Sequence, residues 1–148
     1  MTNLTPHFTL EELTASSTAE RLGIDNTPPE CVKENLQILA NGLEEVRKHL
    51  SIVNAPMHID SGYRCEVLNK TIGGATDSVH KLGFAADFIC SMAGTPLEIV
   101  TLLAKTDLLF DELIQEGSWV HASFAPALRR LVMTAHFGPD GTTYTKGV

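Results

Sequence analysis

The sequence predicts an α+β fold, helices packed on a small, largely antiparallel sheet. Three observations carry that reading: helix-start signals gather in the first half of the chain, short runs of period two follow them, and a tight turn joins two of those runs. Three segments open on Thr with Glu three residues later, Thr9 to Glu12, Thr27 to Glu30 and Thr95 to Glu98. In this pattern side chain and backbone satisfy each other's donors at a helix N-terminus. Pro28 and Pro96 follow the second and third, at a position where a missing N–H costs nothing.

A short helix after Thr9 is expected to pack Phe8 and Leu13 against the body. After Thr27, Val32, Leu36, Leu39, Leu43, Val46 and Leu50 recur at steps of four and three, an apolar stripe of about five turns that marks the main core helix. A second helix, from Thr95 to near Lys105, presents Leu97, Val100, Leu103 and Ala104. The expected strands are 57–61, 84–90, 109–114, 119–124 and 130–137, bounded by Gly, Pro, Asp and Ser. Glu116-Gly-Ser118 is short enough to turn one strand into the next as a hairpin, and Gly138-Pro-Asp-Gly141 is a turn after the last strand.

Composition bounds the function. The 148 residues fit one core, and 43% hydrophobic with 20% charged residues is an ordinary globular balance. A net charge of −7 has the wrong sign for a nucleic-acid or anionic-membrane binder. No basic segment followed by an apolar stretch opens the chain and no apolar run reaches the roughly 18 residues of a membrane span. Synthesis in the cytoplasm is therefore expected. Cys31, Cys65 and Cys90 are too few and too far apart for a disulfide framework or a Cys-x-x-Cys knuckle, so buried free thiols are expected.

The middle of the chain, from Asp60 to Asn69 and from Ile72 to Asp87, concentrates glycines and polar side chains where a core would not want them. His80 and Asp87 stand on either side of a turn at Gly83, so both can aim at one point. His121 can join them from the strand after the hairpin. Two imidazoles and a carboxylate form a first shell for zinc with a fourth position open, the pattern of a catalytic site. The remaining histidines read as structural: His49 closes the long helix, where a protonated imidazole suits the dipole, and His58 and Asp60 form a pair on one strand face. Trp119 shares the face of His121 and is a candidate for either the cleft or the core.

Ser61-Gly-Tyr-Arg64, Asn69, Gly73-Gly74, Ser78-x-His80-x-x-Gly83-x-Ala85-x-Asp87 and Trp119-Val-His121-x-Ser123 together resemble the zinc D-alanyl-D-alanine peptidases of the M15 group. The similarity is greatest to its compact phage and bacterial members that cleave peptidoglycan peptides. Phe8-Thr-Leu-Glu-Glu12 and Gly23-Ile-Asp-Asn-Thr-Pro28 are similar to the family's amino-terminal region. The resemblance implies a Hedgehog/DD-peptidase-like fold, a single zinc peptidase domain over residues 1–148, and an amino-terminal helical region, 1–26, packed on its body.

Carried over by position, the resemblance implies that His80, Asp87 and His121 bind Zn2+, that Ser78 hydrogen-bonds the substrate peptide, and that Arg64 donates to the scissile carbonyl. Many members place the general base three residues before the last histidine. Here that residue is Ser118, which cannot serve. Compact members end a Phe-Asp-x-Leu-Ile-x-Glu strand on a Glu, which makes Glu116 the base, with Asp111 and Glu112 as the other candidates. The implied partner is a peptidoglycan peptide, cut at D-Ala-D-Ala, at a cross-link, or at L-Ala-D-Glu as in a phage lysis system, by a monomer that reaches the wall by export, through a pore or on a phage particle. A non-catalytic zinc module that recognises wall peptide or a protein partner is the alternative of another class, motivated by Ser118. A structural component of a phage particle is a third possibility.

Overall fold

The computed structural model describes residues 1–51 and 56–148. Five helices and six strands follow one another as α1 (Leu10–Thr14), α2 (Ser17–Leu22), α3 (Glu30–His49), β1 (His58–Ser61), α4 (Glu66–Thr71), β2 (Ala85–Ile89), α5 (Pro96–Ala104), β3 (Glu112–Gln115), β4 (Val120–Ser123), β5 (Leu131–Gly138) and β6 (Gly141–Lys146). One sheet holds all six strands in the order β1-β2-β4-β3-β5-β6. All its pairings are antiparallel except β3 with β5, which run parallel. The fold is α+β, as the sequence predicts.

The apolar stripe of α3 does what its spacing requires. Val32, Leu36, Leu39, Leu43 and Val46 are buried, and they meet Ala86 and Phe88 of β2, Leu113 of β3, and Val120 and Ala122 of β4. Each fully buried Leu contributes about 1.5–3 kcal/mol relative to an exposed one. On α5 the buried residues are Ile99, Val100 and Leu103, while Leu97 is exposed. The inward stripe is thus centred on Ile99 and Val100 rather than on Leu97. Phe8 and Leu13 are buried beside α1, as expected.

The helix starts divide by their prolines. Thr95 and Glu98 form a complete capping box with Pro96 at the first turn, and the Thr9 side chain accepts from the Glu12 N–H. Thr27 does not cap α3; the cap position is Pro29, with no side-chain hydrogen bond. A residue before proline is pushed out of the α region, so Pro28, followed by Pro29, cannot be the first helical residue and the helix waits until Glu30. Asp25 instead accepts from the Thr27 N–H in the preceding turn.

Strand alternation leaves the sheet with two unlike faces. Ala86, Phe88, Leu113, Val120 and Ala122 face the helices. Cross-strand partners share a face, and the register pairs Asp87 with His121, His121 with Ile114, and Ile114 with Met133. The second face therefore carries the polar residues. Among the cysteines only Cys90 is buried; Cys31 is exposed and Cys65 half-buried, because Cys31 lies off the apolar stripe of α3 and Cys65 caps α4.

Candidate active site

His80, Asp87 and His121 reach one point from three directions, and all three are buried. Asp87 and His121 are directly opposed on β2 and β4. His80 sits on a 3-10 turn, Val79–Leu82, that ends on Gly83 in the left-handed region at φ 77°, where a side chain would also meet Val32. That reversal carries the chain from His80 into β2.

Asp87 Oδ1 stands 3.0 Å from His121 Nδ1 and 3.3 Å from His80 Nε2. Ligands held tetrahedrally at about 2.0–2.1 Å from zinc are about 3.3 Å apart, so these separations fit a shared ion. The donor set fits as well. His80 Nδ1 is 2.8 Å from the Gly62 carbonyl, which takes its N–H and leaves Nε2 as the lone-pair nitrogen facing Asp87. Gly62 is needed there, since a Cβ would lie 2.2 Å from the Leu13 carbonyl oxygen.

The charges follow from burial and proximity. Burial disfavours charge on His80 and lowers its pKa, which keeps the imidazole neutral as a ligand must be. Burial also opposes charge on His121 and on Asp87. For that pair the mutual hydrogen bond wins, raising His121 and holding Asp87 well below the usual carboxylate range.

Arg64 covers the other carboxylate oxygen. Its Nη2 is 3.3 Å from Asp87 Oδ2, Nε donates to Ser61 Oγ at 3.0 Å and Nη1 to Asn69 Oδ1 at 3.5 Å. Two of its five N–H groups remain for a ligand. Asn69 is buried and donates from Nδ2 to the Ala75 carbonyl, which ties Arg64 to the Gly73–Ala75 loop. Asn26 ties the amino-terminal region to the same place: it donates to the Thr14 and Tyr63 carbonyls and accepts from the Cys65 N–H. Asn69 is among the residues that carry the M15 resemblance and Asn26 lies in the similar amino-terminal stretch, but the sequence assigns neither a role; the hydrogen bonds supply it.

These groups open onto a cleft of about 380 Å³, lined also by Ser78, Glu112, Ile114, Glu116, Met133 and Tyr144. That is within the range of small-molecule and peptide pockets. Glu116, at the end of β3, is half-buried; burial and then the charge of Asp87 raise its pKa. Ser78 Oγ accepts from the His80 N–H, which sets the 3-10 turn, and its residue also lines the cleft.

The other candidates separate cleanly. Asp111 is 2% exposed and bound by Arg129 at 2.8 and 2.9 Å, away from the cleft. Glu112 lines the cleft, with Arg129 Nη2 at 3.4 Å behind it. Ser118 is exposed in the turn after Glu116 and outside the cleft lining. Trp119 is half-buried against Phe137, with ring centroids 6.1 Å apart, rather than in the cleft wall. His49 ends α3 between the Glu45 carbonyl and Asp107, and His58 faces Asp60 at 3.3 Å.

Two cleft residues, Met133 and Tyr144, escaped the sequence reading. β6 lies on the far side of the Gly138–Gly141 turn, and its Thr-Thr-Tyr-Thr run is exposed throughout, so no apolar alternation marks it. No curated protein matches the chain. The Peptidase M15 family model matches residues 6–123, which include every residue of the His80, Asp87, His121, Arg64 and Glu116 constellation. With that match over most of its length, an α+β fold and a buried His-Asp-His group that could hold a metal, the chain belongs to the M15 peptidase family.

Proposed function

We propose that the chain is a zinc-dependent peptidase that hydrolyses peptidoglycan stem peptides or their cross-links. The observation that carries this reading is the convergence of His80, Asp87 and His121 in a cleft that Arg64 and Glu116 also line. His80, Asp87 and His121 would hold the ion, which when bound would polarise the amide carbonyl and bring the pKa of a water toward about 7.

The chain's own residues supply the rest. Arg64, with two N–H groups unengaged, donates to the carbonyl oxygen as it gains charge, an interaction stronger in the transition state than in the ground state. Glu116 takes the proton of the attacking water on its carboxylate and returns it to the leaving amine. Ser78 hydrogen-bonds the peptide beside the ligands. Asp87 is hydrogen-bonded at Oδ1 by His121 and at Oδ2 by Arg64, which fixes the orientation of its carboxylate.

The position of Glu116 in the cleft favours an enzyme over a non-catalytic module, since it supplies the carboxylate that Ser118 lacks. For delivery, we infer export, a separate pore or carriage on a particle, and a net charge of −7 adds no electrostatic attraction to an anionic wall. Zinc-loaded Glu116→Ala should keep about one zinc per chain and lose about 10²–10⁴-fold in muropeptide hydrolysis. Full activity in that variant would remove Glu116 from the base's role, and an active, metal-free His80→Ala protein would remove the mechanism.

A further inference from the structure

β5 and β6 lie beyond residues 6–123, so the family match assigns them no role. Yet they build one wall of the cleft. β5 runs parallel to β3 with Met133 beside Ile114, and β6 returns antiparallel with Tyr144 opposite Ala135. Met133 and Ala135 are two apart on β5 and share a face, so Tyr144 lies on the face that carries Asp87, His121 and Ile114. The small side chain of Ala135, itself buried, leaves room for the ring beside it.

Tyr144 lines the cleft together with Glu116, Glu112, Arg64 and His121. Its side chain is half exposed, and its hydroxyl makes no hydrogen bond within the described residues. Burial and the charges of Glu116, Asp87 and Glu112 raise its pKa, so near neutral pH the phenol keeps its proton and is a donor. A tyrosine on a strand needs no special reason where its ring only covers apolar neighbours. Here the ring lines a polar cleft that the Gly73–Ala75 loop also lines, and it carries an unengaged donor.

We infer that Tyr144 is a substrate-contacting residue, whose hydroxyl donates a hydrogen bond to a carbonyl of the peptide lying between the β5–β6 wall and the Gly73–Ala75 loop. The inference rests on the peptidase reading above and adds a binding contact from outside the matched family region. The contact is made to substrate and transition state alike, so it acts on KM rather than on kcat.

Tyr144→Phe removes only the hydroxyl, which bonds nothing among the described residues, and so leaves the sheet intact. The test measures steady-state cleavage of a purified cross-linked muropeptide dimer by the zinc-loaded protein, by Tyr144→Phe, and by Thr143→Ala, whose side chain is on the opposite face of β6. The expected result is a KM raised about 3–10-fold in Tyr144→Phe, kcat within about twofold, and zinc content and Tm equal to the parent, with Thr143→Ala like the parent. An unchanged KM, or a fall in kcat at constant KM, overturns the contact while leaving the peptidase reading in place. No cleavage by the unsubstituted zinc-loaded protein overturns the substrate reading, and the inference with it.

Discussion

At the scale of single residues, this chain separates carboxylates engaged by a guanidinium from carboxylates that face the cleft. Asp111 is buried and held by the fork of Arg129, whose guanidinium lowers its pKa. A carboxyl lowered in the folded state stabilises above the unfolded value, near 3.8, and that contribution is lost as pH falls through the folded pKa. Thermal melts from pH 6 to pH 3 should therefore show a fall that is shallower in Arg129→Ala than in the parent; equal slopes would mean that the pair contributes nothing. Glu116 is its opposite, with a carboxyl raised by burial and by Asp87 and facing the cleft. The two cannot be told apart by type in the sequence, where Asp111, Glu112 and Glu116 stand within six positions. Only the register of β3 and the reach of Arg129 decide which carboxylate is consumed and which is available. The candidate ligands were more legible, because Ser-x-His-x-x-Gly-x-Ala-x-Asp compresses a cap, a histidine, a left-handed reversal and a strand aspartate into ten residues.

At the scale of elements, the apolar stripe of α3 and the capping box of α5 were legible because local chemistry determines them. The start of α3 was not read correctly, since the effect of Pro29 on Pro28 overrides the Thr27 signal. β6 was invisible for a different reason: it is an exposed edge strand, so burial imprints no pattern on it. Pairing across elements also sets local limits that no single element reveals. Gly62, at the end of β1, touches the Leu13 carbonyl of α1, and Tyr63 donates its N–H to that same oxygen. Gly62→Ala should destabilise the fold by about 1–3 kcal/mol, a Tm loss of about 2–12 °C for a chain of this size, and should weaken metal binding because the Gly62 carbonyl orients His80. A variant with parental Tm and zinc affinity would show that α1 and β1 can move apart without cost.

At the scale of the whole molecule, the sheet divides labour between its faces: one is buried under α3 and α5, and the other carries the cleft. The site closes contacts between parts far apart in sequence, since Gly62, His80, Asp87 and His121 come from four segments. A metal held there would therefore be coupled to the fold. At zinc about a hundredfold above its dissociation constant the protein should gain about 2.7 kcal/mol, a rise in Tm of about 5–11 °C that a chelator reverses. An identical Tm with and without zinc would separate the ion from the fold. Mass spectrometry of purified peptidoglycan digested by the zinc-loaded protein reads the proposed hydrolysis itself. New peptide amine and carboxylate ends, produced by the parent and absent with His121→Ala, are the predicted result, and their masses identify the bond cut. Peptidoglycan left intact by the zinc-loaded protein, or the same fragments from His121→Ala, would rule out a peptidase that works through this site.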